Sequence, residues 1–187
     1  MEALTLMMLL LQAPGDGWAL AQVGPQQVKT IYWELFDASE TWVSIIPAGP
    51  EGEQPLVRMI FQAFFAGKEP KGAPNRVVIR ALSLPLTVVK EYSLRLIVDE
   101  EAFDLGSSCM PQGGAGPPCL LLYPVCSEGC AANGLAVDVH PALLEKIAEA
   151  HSVTGTVLGY PVMLSSADLA AVGKFATTIH PGTASRK

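Results

Sequence analysis

The strongest constraint on this chain is a two-residue rhythm of apolar side chains that is repeatedly cut by proline and glycine. In Tyr92-Ser-Leu-Arg-Leu-Ile-Val98, the residues Tyr92, Leu94, Leu96 and Val98 fall on one side while Ser93 and Arg95 fall on the other. That alternation has the period of a half-buried β-strand, in which successive side chains point to opposite faces. Residues 30–36 alternate Ile31, Trp33 and Leu35 against Tyr32, Glu34 and Phe36, and read as a first strand. The spacing predicts a turn at 37–40 and a second strand at 41–46, stopped by Pro47-Ala-Gly-Pro50. Residues 56–65 (LVRMIFQAFF) give a third strand, with a helix as the alternative because short apolar runs carry both signals. After the Gly- and Pro-rich loop 66–75, residues 76–82 form a fourth strand, which Pro85 ends or confines to a sheet edge.

The C-terminal third changes period. Residues 99–118 read as the least structured stretch, followed by short strands at 119–123 and 135–139. Pro141 suits a first helical position, and 142–150 then places Leu143, Leu144, Ile147 and Ala148 on one side and Glu145, Lys146 and Glu149 on the other. Residues 153–164 return to extended structure, with Gly155 and Gly159 as bulge positions. Ser165 or Ser166 caps a last helix over 167–179, with Asp168 in its first turn. Strands followed by helices predict a mainly β fold, an antiparallel β-sandwich or barrel-like body with two short C-terminal helices.

At the N-terminus, the ten-residue run ALTLMMLLLQ (3–12) is too short for a membrane-spanning helix, which needs about 20 residues. It has the length of a signal-peptide core, and Ala19-Leu20-Ala21 has the small-residue pattern of a cleavage site, although Glu2 stands where a signal usually carries a cation. The expected organisation is a signal peptide at 1–21 and one exported β-rich domain at 22–187. Cleavage would leave 166 of 187 residues, enough for one core. Losing Glu2 and Asp16 would bring the formal charge from −6 to −4. With 50% apolar and 16% charged residues, the chain lacks the composition of a disordered one. Its Lys and Arg are scattered, which argues against nucleic acid and against an anionic lipid surface as partners.

All four cysteines, Cys109, Cys119, Cys126 and Cys130, lie in one segment. An even, clustered set behind an export signal reads as two disulfides that staple a loop at 109–130. Three connectivities are open, and closure entropy favours sequential pairing, Cys109 with Cys119 and Cys126 with Cys130. The rival is a four-cysteine zinc site, but spacers of nine, six and three residues are not those of a zinc ribbon or finger.

Three pieces, in order, resemble the invasion-associated locus B family of exported bacterial proteins. They are Leu82-Ser-Leu-Pro85-Leu86 leading to Tyr92-Ser-Leu-Arg-Leu-Ile-Val98-Asp99; then Tyr123-Pro-Val-Cys126-Ser-Glu-Gly129-Cys130-Ala131; then the 142–150 helix followed by Gly155-Thr-Val-Leu158 and Leu169-Ala-Ala-Val-Gly173-Lys174-Phe175-Ala176. The resemblance spans about residues 76–179 and implies a small exported β-rich domain.

No catalytic constellation appears. Gly106-Ser-Ser-Cys109 is not the GxSxG nucleophile turn. Gly113-Gly-Ala-Gly116 precedes Pro-Pro rather than a phosphate-binding helix. His140 and His151 flank one helix about 16 Å apart and cannot share a metal, and His180 sits near the tail. Asp99-Glu100-Glu101 reads as a solvated acidic turn and Ser165-Ser166-Ala-Asp168 as a cap. Trp33, Trp42, Phe61, Phe64 and Phe65 read as core. The expectation is a non-enzymatic periplasmic or secreted protein, without cofactor or metal, that contacts a protein or envelope component through its stapled loop. The alternatives are an envelope enzyme, which would need His140 or His151 in a pocket beside a perturbed carboxylate, and a periplasmic metal- or redox-binding protein.

Overall fold

The structure, a computed structural model, describes residues 26–49, 57–83, 91, 93–107 and 134–179 of the 187. It is mainly β, with two antiparallel sheets and two helices near the C-terminus. The first sheet has the order β1-β2-β3-β4-β7, built from β1 (Val28–Trp33), β2 (Ala38–Ile45), β3 (Val57–Ala66), β4 (Arg76–Ser83) and β7 (Gly134–Asp138). The second has the order β6-β5-β8-β9, from β5 (Ser93–Val98), β6 (Glu101–Ser107), β8 (Val153–Val157) and β9 (Tyr160–Met163). Neither sheet closes on itself among the described residues, so of the two expected arrangements the sandwich-like one is found and the barrel is not.

Alternation decides what each sheet buries. Val28, Val43, Phe61, Ile79 and Val137 stand opposite one another across all five strands of the first sheet. Their side chains share one face and join one core with Leu94, Leu96, Val153, Val157 and Val162 of the second sheet. The helices α1 (Pro141–Glu149) and α2 (Ser166–Ile179) complete it, with Leu143, Leu144 and Ile147 from α1 and Ala171, Val172, Phe175 and Ile179 from α2. The α2 residues recur at three- and four-residue intervals, as one buried helical stripe requires. α2 packs against α1 and against β1, β2 and β3.

Ser165 and Asp168 form a reciprocal cap at the start of α2. The Asp168 amide donates to Ser165 Oγ (3.2 Å), while the Ser165 amide and hydroxyl donate to Asp168 Oδ2 (2.9 and 2.7 Å). Gln26 Nε2 donates to the other oxygen (3.1 Å), which ties the start of the described chain to the helix near its end. The two sheets are also linked through backbone, since Ala48 and Met163 exchange hydrogen bonds of 3.1 and 2.9 Å.

Three expectations are corrected. The first strand ends at Trp33, because 34–36 form a 3-10 turn closed by Asp37 in the left-handed region, and 38–40, expected as turn, already belong to β2. Within the stretch expected as unstructured, residues 101–107 form β6, because Asp99 and Glu100 (φ 43° and 75°) supply a two-residue hairpin turn. Residues 153–164 are two strands rather than one, because Leu158 and Gly159 (φ 54° and 78°) make a second such turn. Gly159 is thus a turn residue. Gly155 is a close-approach position, where a Cβ would stand 2.1 Å from the Arg95 carbonyl oxygen. The expected signal peptide, the 119–123 strand, the Gly113–Gly116 stretch, the Pro85 strand end and all four cysteines lie outside the described residues.

Candidate functional site

The site expected from sequence, the cysteine-stapled loop, joins β6 to β7 and lies outside the described residues, as does His180. Described structure begins again at Gly134, whose backbone is pressed onto β4: a Cβ there would meet Leu82 Cδ2 at 2.4 Å and the Ala81 oxygen at 2.6 Å.

Where β7 passes into α1, a shallow groove of about 400 Å³ opens against β6. Phe103 and Leu105 from β6 and Val139 and Leu143 from the opposite wall give it an apolar floor, with Asp104, Asp138, His140 and Lys146 among its polar lining. The alternation Phe103-Asp104-Leu105 is the signal that could have placed β6 beside it. The charged groups at its rim already have partners. Arg76 holds Asp138 through two nitrogens, the Nη2 contact being 3.0 Å. Lys146 Nζ donates to Glu101 Oε2 (2.6 Å) and lies 5.1 Å from the Phe103 ring centroid.

The structure gives His140 and His151 each a local task. His140 caps α1, its Nδ1 accepting the Ala142 amide at 3.2 Å while its carbonyl accepts the Leu143 amide at 2.9 Å. With Pro141 at the first helical position, those two bonds satisfy the opening turn internally. His151 follows the helix and is 97% exposed, with Nδ1 3.6 Å from Asp99 Oδ2. The Asp99 carboxyl is held below its ordinary value chiefly by the Ser152 amide, next by the His151 amide, and less by the imidazole. The His151–Asp99 pairing is therefore solvent-facing, while His140, in the groove, has its Nδ1 engaged as a cap.

The first sheet's outer face carries another polar cluster. Glu40, 9% exposed on β2, accepts from Trp33 Nε1 (3.2 Å) and from Gln62 Nε2. Trp42 and Ile60, both buried, pack beside it with Leu82. Sequence pattern placed Trp42, Phe61 and Phe65 in the core correctly, whereas Trp33 and Phe64 are half-buried at this face. Tryptophan and amide donors aimed at a carboxylate hold it in place without supplying a nucleophile, so the cluster reads as structural. Among the described residues, no group of three or more His, Cys, Asp or Glu side chains is arranged to hold a metal ion. Nor is any described helix long and apolar enough to cross a membrane.

The second sheet's outer face carries exposed residues. Ala102, Ile97, Thr154 and Met163 face one another in a row across its four strands, all exposed, with Asp104, Arg95, Thr156 and Pro161 in the next row. Met163 is 48% exposed and Ile97 36%, and among the described residues Leu35, at 87%, is the other large apolar side chain so exposed. Comparisons with protein-family models, with curated proteins and with solved structures give no match to this chain.

Proposed function

We propose that this chain is an exported bacterial β-domain, periplasmic or secreted, that works by surface contact with a protein or cell-envelope component rather than by catalysis, in the manner implied by its resemblance to invasion-associated locus B proteins. The observation that carries the contact reading is the exposed row Ala102–Ile97–Thr154–Met163 on the outer face of the second sheet. A row of short and apolar side chains on a hydrogen-bonded sheet is already ordered, so a partner docking there immobilises few side chains. The cysteine cluster and the apolar N-terminal run support export.

Intact mass of the protein recovered from its native envelope or medium tests the compartment. Loss of residues 1–21 and of four further hydrogens is expected, and a full-length chain with four free thiols would refute export. Cross-linking in the envelope tests the contact. A partner captured by the wild type is expected to be lost with Ile97→Asp and Met163→Asp combined. Equal capture by that variant would remove the second sheet from the account.

A further inference from the structure

β6 is the end strand of the second sheet and β7 the end strand of the first, and the groove lies where these two edges meet. The backbone groups that β6 offers there follow from the pairing of its neighbour. In β5 the Ser93 carbonyl accepts the Leu158 amide, and just beyond the strand the Asp99 amide donates to Ser152. Backbone groups alternate along an antiparallel strand, so residues 93, 95, 97 and 99 turn theirs toward β8, and 94, 96 and 98 toward β6. Val98 stands opposite Glu101 and Leu96 opposite Phe103, so Glu101 and Phe103 bond inward to β5. Ala102 and Asp104 therefore aim their amides and carbonyls away from the sheet, and among the described residues nothing pairs with them.

An open edge beside an apolar groove is the arrangement that accepts an added strand. Main-chain bonds hold the incoming segment, and its alternate side chains enter the groove. Phe103 and Leu105 supply one wall of that groove, Val139 and Leu143 the other. The charge of the edge selects the occupant. Residues 99–104 contain four acids and no Lys or Arg. Asp99 is taken up by the His151 and Ser152 amides, and Glu101 by Lys146. Asp104 accepts the Gly106 amide (3.3 Å), and although Arg95 stands opposite it on β5, no ion pair joins them. A second copy pairing through this edge would set one acidic run against another, which like charges oppose.

We propose that the outer edge of β6 accepts an extended, basic peptide segment of a partner protein as an added strand. Its apolar side chains fill the groove, and a Lys or Arg stands opposite Asp104. The contact is made by the strand's edge and does not rest on the exposed face of the second sheet, whose Ile97 and Met163 serve as controls.

Amide and methyl NMR of the full chain with a blocked hexapeptide of alternating leucine and lysine tests this, against a hexapeptide of alternating leucine and glutamate. The lysine peptide is expected to shift the Ala102 and Asp104 amides and the methyls of Leu105, Val139 and Leu143. It is expected to slow hydrogen exchange at those two amides and to leave the Ile97 and Met163 methyls still. Asp104→Lys is expected to weaken the lysine peptide by about two- to thirtyfold and to strengthen binding of the glutamate peptide. The proposal is overturned if the lysine peptide leaves the two amides unshifted, or if Asp104→Lys leaves the preference between the peptides unchanged. Slow exchange at both amides before any peptide is added would give the edge to another segment of this chain. Concentration-dependent shifts there without peptide would give it to a second copy, and either result also overturns the proposal.

Discussion

Replacing Gly155 by Ala would put a methyl group where the β5 backbone already lies. The added Cβ would stand 2.1 Å from the Arg95 carbonyl oxygen, 3.0 Å from Leu96 Cα and 3.1 Å from the Arg95 carbonyl carbon. Ordinary contact begins at 3.4 Å, so β5 and β8 would have to part locally by more than 1 Å. These are backbone atoms in the middle of a ladder, with Arg95 opposite Thr156 and Ile97 opposite Thr154 on either side, so no side-chain rotation relieves the clash. Disturbing one or two ladder hydrogen bonds costs about 0.5–1.5 kcal/mol each. The strain of inserting a methyl group into a packed site adds about 1–3 kcal/mol. Removing glycine's backbone entropy returns about 0.5–1 kcal/mol. The expected net loss is roughly 0.5–5.5 kcal/mol, set against a domain stability of about 5–15 kcal/mol. Urea unfolding followed by far-UV circular dichroism and tryptophan fluorescence measures it. A loss below about 0.5 kcal/mol with unchanged m-value would refute the reasoning, because it would mean that β5 and β8 have slack that the close approach denies.

Gly173→Ala should have the opposite sign. Its Cβ would meet the Ala148 oxygen and Cβ at 3.8 and 3.9 Å, ordinary contact, so helix propensity should raise stability by about 0.5–1 kcal/mol in the same urea assay. Phe175→Ala empties a fully buried position between the helices and the first sheet, and should cost about 3–5 kcal/mol, read as a lower urea midpoint. Asp168→Ala removes the reciprocal cap and the tie to Gln26, and should cost about 1–2 kcal/mol by thermal melting, with faster amide exchange in the first turn of α2.

Elements with a strong period were legible in the sequence, and those created by turn geometry were not. The alternation in 93–98 and the proline-started helix at 141–149 depend on residue order alone, and both stand where that order puts them. β6 was missed because Asp99-Glu100 reads as an acidic turn, while hairpin recognition looks for glycine or asparagine where φ is positive. The Asp99 carboxylate in that turn is occupied by two amides from the link between α1 and β8, a partnership 52 and 53 residues away that no local pattern reveals. The groove has the same origin, since its walls come from a strand hidden by that turn and from the β7–α1 junction. His140 as a helix-capping residue was legible, because proline after it marks the helix start. Gly155 was recognised as special for the wrong reason. A glycine within a strand signals either a bulge or a close approach, and only the neighbouring strand tells which.

The order in which strands join the sheets governs how the molecule can be made. The first sheet takes β1 to β4 and then waits for β7, while β5 and β6 have meanwhile begun the second sheet, which waits for β8 and β9. A ribosome therefore releases neither sheet as a finished unit before most of the chain has emerged. A product truncated before residue 134 would leave both sheets without strands they need, exposing the edges of β4 and β5 to one another's copies. Sequential assembly of independent halves is closed to this topology, and the last helix, pinned to the start of the described chain through Gln26 and Asp168, is among the parts without which the core stays open.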